Sequence, residues 1–153
     1  MTDAHSTRPI VFDFNRTLFD PTTYALYGGV VSMLEELGEE RDLFLYSRKS
    51  WDRTDLLRNL GIDSYFKDTV FVETKTVDNL REMLAAHAVD PAQAIIVGDM
   101  ISDELCVGQE LGLTTVWIAQ PMTESQMLAA NPTCVPDHTV RSINELRELL
   151  ASL

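Results

Sequence analysis

A chain of 153 residues has room for one domain with a substantial core and little for a second. Its 45% hydrophobic and 24% charged content is that of an ordinary globular chain rather than a disordered or membrane one, and no apolar run approaches the ~20 residues a membrane helix needs. With 24 acidic against 12 basic side chains and a formal net charge of −12, most of the surface repels a nucleic-acid backbone or an anionic membrane, so neither is an expected partner. Any phosphate handled here would need local positive charge, from a metal ion, a lysine or helix amino termini.

Residues 1–8 contain no hydrophobic segment and read as a short mobile arm rather than a secretory signal, which leaves a single domain over 9–153 and the expectation of a cytoplasmic protein. Pro9-Ile10-Val11-Phe12 is apolar without interruption, the pattern of a strand buried on both faces. It breaks off into Asp13, Asn15 and Thr17, a carboxylate, an amide and a hydroxyl on alternate residues, which share one side of an extended strand end. Val30 to Gly38 has apolar residues at helical spacing and a glycine stop. Leu43-Phe44-Leu45-Tyr46 is a second buried strand, ending in Ser47, and Trp51 to Gly61 is a second helix closed by glycine.

Val70-Phe71-Val72 then runs into Glu73-Thr74-Lys75. From Thr76 to Ala88 the spacing places Val77, Leu80, Met83 and Leu84 on one helical face, with Asp90-Pro91 as punctuation. Ala94-Ile95-Ile96-Val97 ends in Gly98-Asp99, and Ser102 or Asp103 is positioned to cap a helix through Leu111 that Gly112 ends. Thr114 to Ile118 is a further strand. Pro121 to Pro136 should be the least ordered stretch, a short helix followed by a loop. The last helix, Ser142 to Leu150, begins with Ser142 and has Glu145 three residues on, as in a capping box. Cys106, in a helix, and Cys134, in a loop, are expected as reduced thiols. His5, His87 and His138 fall in the arm, a helix end and a late loop and are assigned no catalytic part.

Strand and helix alternating over short connections predict an α/β fold, a doubly wound parallel sheet with right-handed crossovers. Parallel strands would bring Asp13, Ser47, Lys75 and Asp99 to one rim of the sheet, where such folds bind ligands.

In order and in strand context, these rims resemble the four motifs of the haloacid dehalogenase superfamily of phosphatases. Asp13-Phe14-Asn15-Arg16-Thr17 is similar to its Asp-x-Asp-x-Thr, Ser47 to its second-motif hydroxyl, Lys75 to its third-motif lysine, and Gly98-Asp99-Met100-Ile101-Ser102-Asp103 to its Gly-Asp-x-x-x-Asp. Singly, Ser47 and Thr17 are also ordinary turn residues and Lys75 an ordinary surface lysine; the ordered set carries the likeness. The resemblance implies that Asp13 attacks a phosphate monoester and becomes an aspartyl-phosphate that water later cleaves. It further implies Mg²⁺ held by Asp13, Asp99 and the backbone oxygen of Asn15, with Lys75, Ser47 and Thr17 stabilising the transferring group. Asp103 would cap its helix or hold Lys75.

Asn15 departs from the family pattern. Relatives usually carry an aspartate there that protonates the leaving oxygen and then activates water, and an amide does neither. Losing a general acid/base typically costs ~10²–10⁴-fold in rate. Three readings stay open: a slow phosphatase, a hydrolase of other chemistry, or a binding or regulatory protein descended from an enzyme. The intervals between motifs leave no room for a cap domain, so the site should be open. An open site suits a phosphorylated protein as well as a phosphorylated small molecule, or a homo-oligomer whose second subunit supplies the missing wall. Tyr24, Tyr27 and Gly28-Gly29 would border the opening.

Overall fold

In the computed structural model, residues 7–121, 124–129 and 132–153 are described. Ile10–Phe12 forms β1, and its parallel neighbours are Leu43–Arg48 (β4) on one side and Ile95–Gly98 (β6) on the other. Beyond β4 lies Asp68–Val72 (β5); beyond β6 lie Thr114–Ile118 (β7) and His138–Val140 (β8), so one parallel sheet runs β5-β4-β1-β6-β7-β8. The chain builds outward from β1 in one direction and then returns to build outward in the other. The reversal falls between β1 and β6, and it opens a crevice beyond their carboxyl ends.

Alternation of side chains explains the two layers of core. Ile10, Phe12, Leu43, Leu45, Ile95 and Val97 face one side, where they meet helices Val30–Gly38 (α1), Arg53–Asn59 (α2) and Ile143–Ser152 (α6). Val11, Phe44, Tyr46 and Ile96 face the other, against Val77–Ala86 (α3) and the segment Ile101–Leu105 that leads into Cys106–Leu111 (α4). Each fully buried Phe, Leu or Ile contributes about 1.5–3 kcal/mol relative to exposure. Of the face expected on α3, Leu80, Met83 and Leu84 are buried and Val77 only partly so. Thr76 caps this helix through a reciprocal box with Asn79, and Ser142 caps α6 by accepting from the Glu145 N–H at 3.1 Å.

Several elements differ from expectation. A small antiparallel hairpin, Phe19–Asp20 (β2) with Ala25–Leu26 (β3), stands between Asp13 and α1. Its two-residue strands are too short to leave a periodic signal. Of the expected arm, residues 1–6 lie outside the described ones, whereas Arg8 is docked: its guanidinium donates to Gln93 O at 3.1 Å and Thr114 Oγ1 at 2.6 Å. In the stretch 121–136, Glu124–Ala129 (α5) is the short helix, while Asn131 lies outside the described residues.

The expectation of reduced thiols is corrected. Cys106 and Cys134 form a disulfide, with Cα atoms 5.6 Å apart and a sequence separation of 28. The loop after α5 returns across the start of α4, where Cys134 Sγ also lies 3.6 Å from Ile101 O, and nothing in the spacing of two cysteines reveals such a return. No helix among the described residues is long and apolar enough to cross a membrane.

Candidate active site

Asp13 is the residue at which β1 leaves the sheet. Its N–H still donates to Val97 O at 3.0 Å, so its backbone is fixed between the two strands that flank the crevice. Immediately afterwards the chain folds back on itself. Phe14 O accepts from the N–H groups of Thr17, Leu18 and Phe19, and Arg16 N–H donates to Phe19 O at 2.7 Å. Arg16 takes φ 60° in this turn, a left-handed conformation that is uncommon for a residue with a side chain. Phe14 is buried and stacks on Phe19 with centroids 4.9 Å apart, which anchors the turn and leaves Asp13 and Asn15 lining the cleft.

The ends of three other segments converge on Asp13. Lys75, 6% exposed, places Nζ 2.6 Å from Asp13 Oδ1 and 2.7 Å from Glu104 Oε1. Thr17 Oγ1 donates to Asp13 Oδ2 at 3.3 Å. Asp99, at the end of β6, is held by Arg16 Nε at 2.9 Å, and its carbonyl accepts from Trp117 Nε1 at 2.9 Å. Ser47, at the end of β4, accepts from an Arg53 N–H at 2.7 Å. Asn15, Ser47, Lys75, Asp99 and Asp103 therefore line the same cleft as Asp13, a space of about 290 Å³. Thr17 lies beneath it, fully buried.

Glu104 is the residue that sequence reasoning passes over. Asp103 is expected to cap its helix or hold Lys75, yet it does neither: it pairs with Arg48 at 3.4 Å, and the contact with Lys75 belongs to Glu104. The cause is a kink within Ile101–Leu105, where Asp103 adopts φ −113°, ψ −107°, outside the helical region. The break carries the next carboxylate inward, onto Lys75. Glu104 Oε2 also accepts from Met100 N–H at 2.8 Å. The signal that could have exposed it is Gly98, where a Cβ would fall 2.4 Å from Glu104 Cγ and Oε2. Arg16, Arg48, Lys49 and Arg53 line the cleft as well and were not anticipated.

Electrostatics decide what this cluster can hold. Burial alone would lower the Lys75 pKa, but Asp13 and Glu104 outweigh it and hold the ammonium charged, above its ordinary range. Burial, with the nearby Asp13 charge, pushes Asp99 up to about 7 and Glu104 up to about 8. Carboxylate oxygens of Asp13, Asp99 and Glu104 lie within 4.8 Å of one another, and among the described residues only Lys75 and Arg16 form ion pairs with them. A surplus negative charge away from water is costly unless a proton or a cation neutralises it. The donors are oxygens alone, the set a hard divalent cation takes. Glu104 accepts at both oxygens over short contacts, from Lys75 at 2.7 Å and Met100 N–H at 2.8 Å, whereas Asp13 Oδ2 has only the long 3.3 Å contact from Thr17 and Arg16 holds Asp99 through Oδ2, so Asp13 and Asp99 are the pair that best fits such an ion.

Tyr24 is exposed at the margin and donates to Asp52 Oδ2 at 2.5 Å. Tyr27 packs against the core. His87 lies 2.8 Å from Asp68, away from the cleft.

Comparison with known proteins places this geometry in context. The family model described as haloacid dehalogenase-like hydrolase matches residues 8–118. By sequence, no curated protein matches the chain. Among solved structures, an uncharacterized protein from Listeria monocytogenes serotype 4b superposes with TM-score 0.76 at 17% identity, covering 95% of this chain and 99% of that one. A HAD-superfamily hydrolase of subfamily IA, variant 1, from Geobacter sulfurreducens gives 0.74 at 14%, with 97% and 99% covered. The HAD-hydrolase YfnB of Bacillus subtilis, solved bound to magnesium, gives 0.78 at 14%, with 94% and 98% covered. At these identities the likeness is one of fold.

Proposed function

We propose that this chain, which belongs to the haloacid dehalogenase-like hydrolase family, hydrolyses phosphate monoesters with Asp13 as nucleophile and Mg²⁺ as cofactor. The observation that carries the reading is the buried Asp13 carboxylate, gripped by Lys75 at 2.6 Å and facing the second carboxylate of Asp99 across the end of the sheet. A nucleophilic carboxylate has to approach an anionic ester, and the repulsion must be screened. Mg²⁺ held by Asp13, Asp99 and the Asn15 backbone oxygen would supply Lewis-acid screening of the phosphoryl oxygens.

The chain's own residues do the rest. Asp13 attacks phosphorus through one oxygen while the other stays fixed, so that attack needs no reorientation of the carboxylate. Lys75, positioned by Glu104, offers a permanent positive charge where negative charge collects. Ser47 lines the same wall and can turn its hydroxyl toward a phosphoryl oxygen. Asn15 holds its place in the cleft but has no proton to give at neutral pH. Departure of the alcohol is therefore unassisted, and turnover should be slow and should favour good leaving groups. The cleft is open because the hairpin and α1 fill one inter-motif interval and α2 and β5 the other, with no inserted domain in either.

The test is hydrolysis of an aryl phosphate with and without Mg²⁺. Metal-dependent release that Asp13→Ala abolishes is the expected result, and Asn15→Asp should raise turnover by up to ~10²–10⁴-fold, most for poor leaving groups. Activity that survives Asp13→Ala, or needs no metal, would overturn the reading. The amide at Asn15 is also the one observation favouring a second reading, a binding protein that holds a phosphate group without turning it over.

A further inference from the structure

Basic side chains are scarce in this acidic protein, yet several meet in the cleft. Of its 12 lysines and arginines, Arg16, Arg48, Lys49, Arg53 and Lys75 all line the cleft. Two of them are accounted for, because Lys75 serves Asp13 and Glu104 and Arg16 serves Asp99. The other three form the wall that runs from the end of β4 to the first residue of α2.

Arg53 is the informative member of that wall. It is 7% exposed, yet among the described residues no carboxylate forms an ion pair with it. One N–H group donates to Ser47 Oγ at 2.7 Å, and the guanidinium lies over the Phe14 ring at 4.4 Å. Its Nε is buried with no hydrogen-bond partner. Burial lowers its pKa, and Asp52 and Asp13 oppose that only from a distance. A guanidinium held out of water in this way is costly unless an anion arrives to complete it. Arg48 and Lys49 are differently placed. They are more than half exposed and reach Asp103 at 3.4 Å and Glu73 at 3.5 Å, pairs that solvent screens and a ligand anion readily replaces.

One phosphoryl group at Asp13 already has Lys75, and on the reading above a metal ion, to meet its charge. We infer that Arg48, Lys49 and Arg53 form a second anion subsite, so that the ester this site takes carries another phosphate or a carboxylate close to the scissile phosphate. This deepens the phosphatase reading and rests on it for the place of the first phosphate.

The experiment compares kcat/KM for three aryl monoesters of similar leaving group: phenyl phosphate, a carboxyphenyl phosphate and a phenylene bisphosphate. The wild type should favour one or both of the doubly anionic esters, and the one more favoured identifies the second group. Arg53→Gln should lower the ratio of doubly anionic to neutral-tailed kcat/KM by about 10- to 100-fold, with partial recovery in Arg53→Lys. Equal use of all three esters by the wild type, or an unchanged ratio in Arg53→Gln, would overturn the subsite; the latter would leave Arg53 only the positioning of Ser47. Should Arg53→Gln fail to fold, the exposed double variant Arg48→Gln/Lys49→Gln must lower the same ratio. If no ester is turned over, the phosphatase reading fails by itself, and calorimetry with the bisphosphate and with inorganic phosphate still decides the subsite: tighter bisphosphate binding that the double variant abolishes supports it, and equal binding refutes it.

Discussion

On the β1 and β6 side of the cleft every buried polar group is held by another, whereas on the β4 and α2 side the cations are held loosely or by a ring and a hydroxyl. Asp13, Lys75 and Glu104 form a buried chain with contacts of 2.6 and 2.7 Å. Arg48 and Lys49 reach their partners at 3.4 and 3.5 Å from exposed positions. The difference separates two tasks. Attack on phosphorus requires a carboxylate fixed before the ester arrives, while recognition of variable anions is better served by long side chains whose present partners are easily exchanged.

The largest effect should follow from breaking the fixed side at its centre. Lys75→Met leaves Asp13 and Glu104 buried against each other without their shared cation. We expect a loss of about 3–5 kcal/mol in unfolding free energy, read by denaturant titration. A loss below 1 kcal/mol would mean that the buried chain is not the anchor described here.

A smaller effect sharpens the boundary between the two sides. Glu104→Gln, which removes the carboxyl group bonded to both Lys75 and Met100 N–H, should cost about 1–3 kcal/mol. Asp103→Asn, which removes only the partner of the exposed Arg48, should cost less than about 1 kcal/mol. The reverse order would return the role of holding Lys75 to Asp103.

The mildest test is the pH dependence of the metal-free protein. Asp99 and Glu104 have pKa values raised by burial to about 7 and about 8, so the folded state holds their protons more tightly than the unfolded chain does. Their stabilising contribution is complete below the ordinary carboxylate range and is lost as pH rises through these values. Thermal stability without metal should therefore fall between about pH 4 and 8, and added Mg²⁺ should restore most of the loss at the upper end. A curve that rises across this window, with or without metal, would contradict the surplus of buried negative charge.

Much of the fold was legible because each buried strand declares itself twice, by an unbroken apolar run and by the polar residue that ends it. Ile10 to Phe12 before Asp13, Leu43 to Tyr46 before Ser47 and Ile95 to Val97 before Asp99 all follow that rule, and parallel pairing then converts sequence order into a common rim. What sequence could not show was what depends on winding or on a return of the chain. No residue type marks the kink at Asp103, so the carboxylate facing Lys75 was one position off. Cys134 reaches Cys106 because its loop lies against the start of α4, and β2, β3 and β8 are too short for their periodicity to be read. Arg53 reads in sequence as one polar residue of an amphipathic helix; its burial over Phe14 beside Ser47 exists only once α2 is packed.

The most direct test is a crystal structure of the protein grown with Mg²⁺ and beryllium fluoride. One cation shared by Asp13 and Asp99 should appear, with a trifluoroberyllate on the Asp13 oxygen not bonded to Lys75. A cation bound elsewhere, or a fluoride group that leaves Asp13 bare, would contradict this assignment.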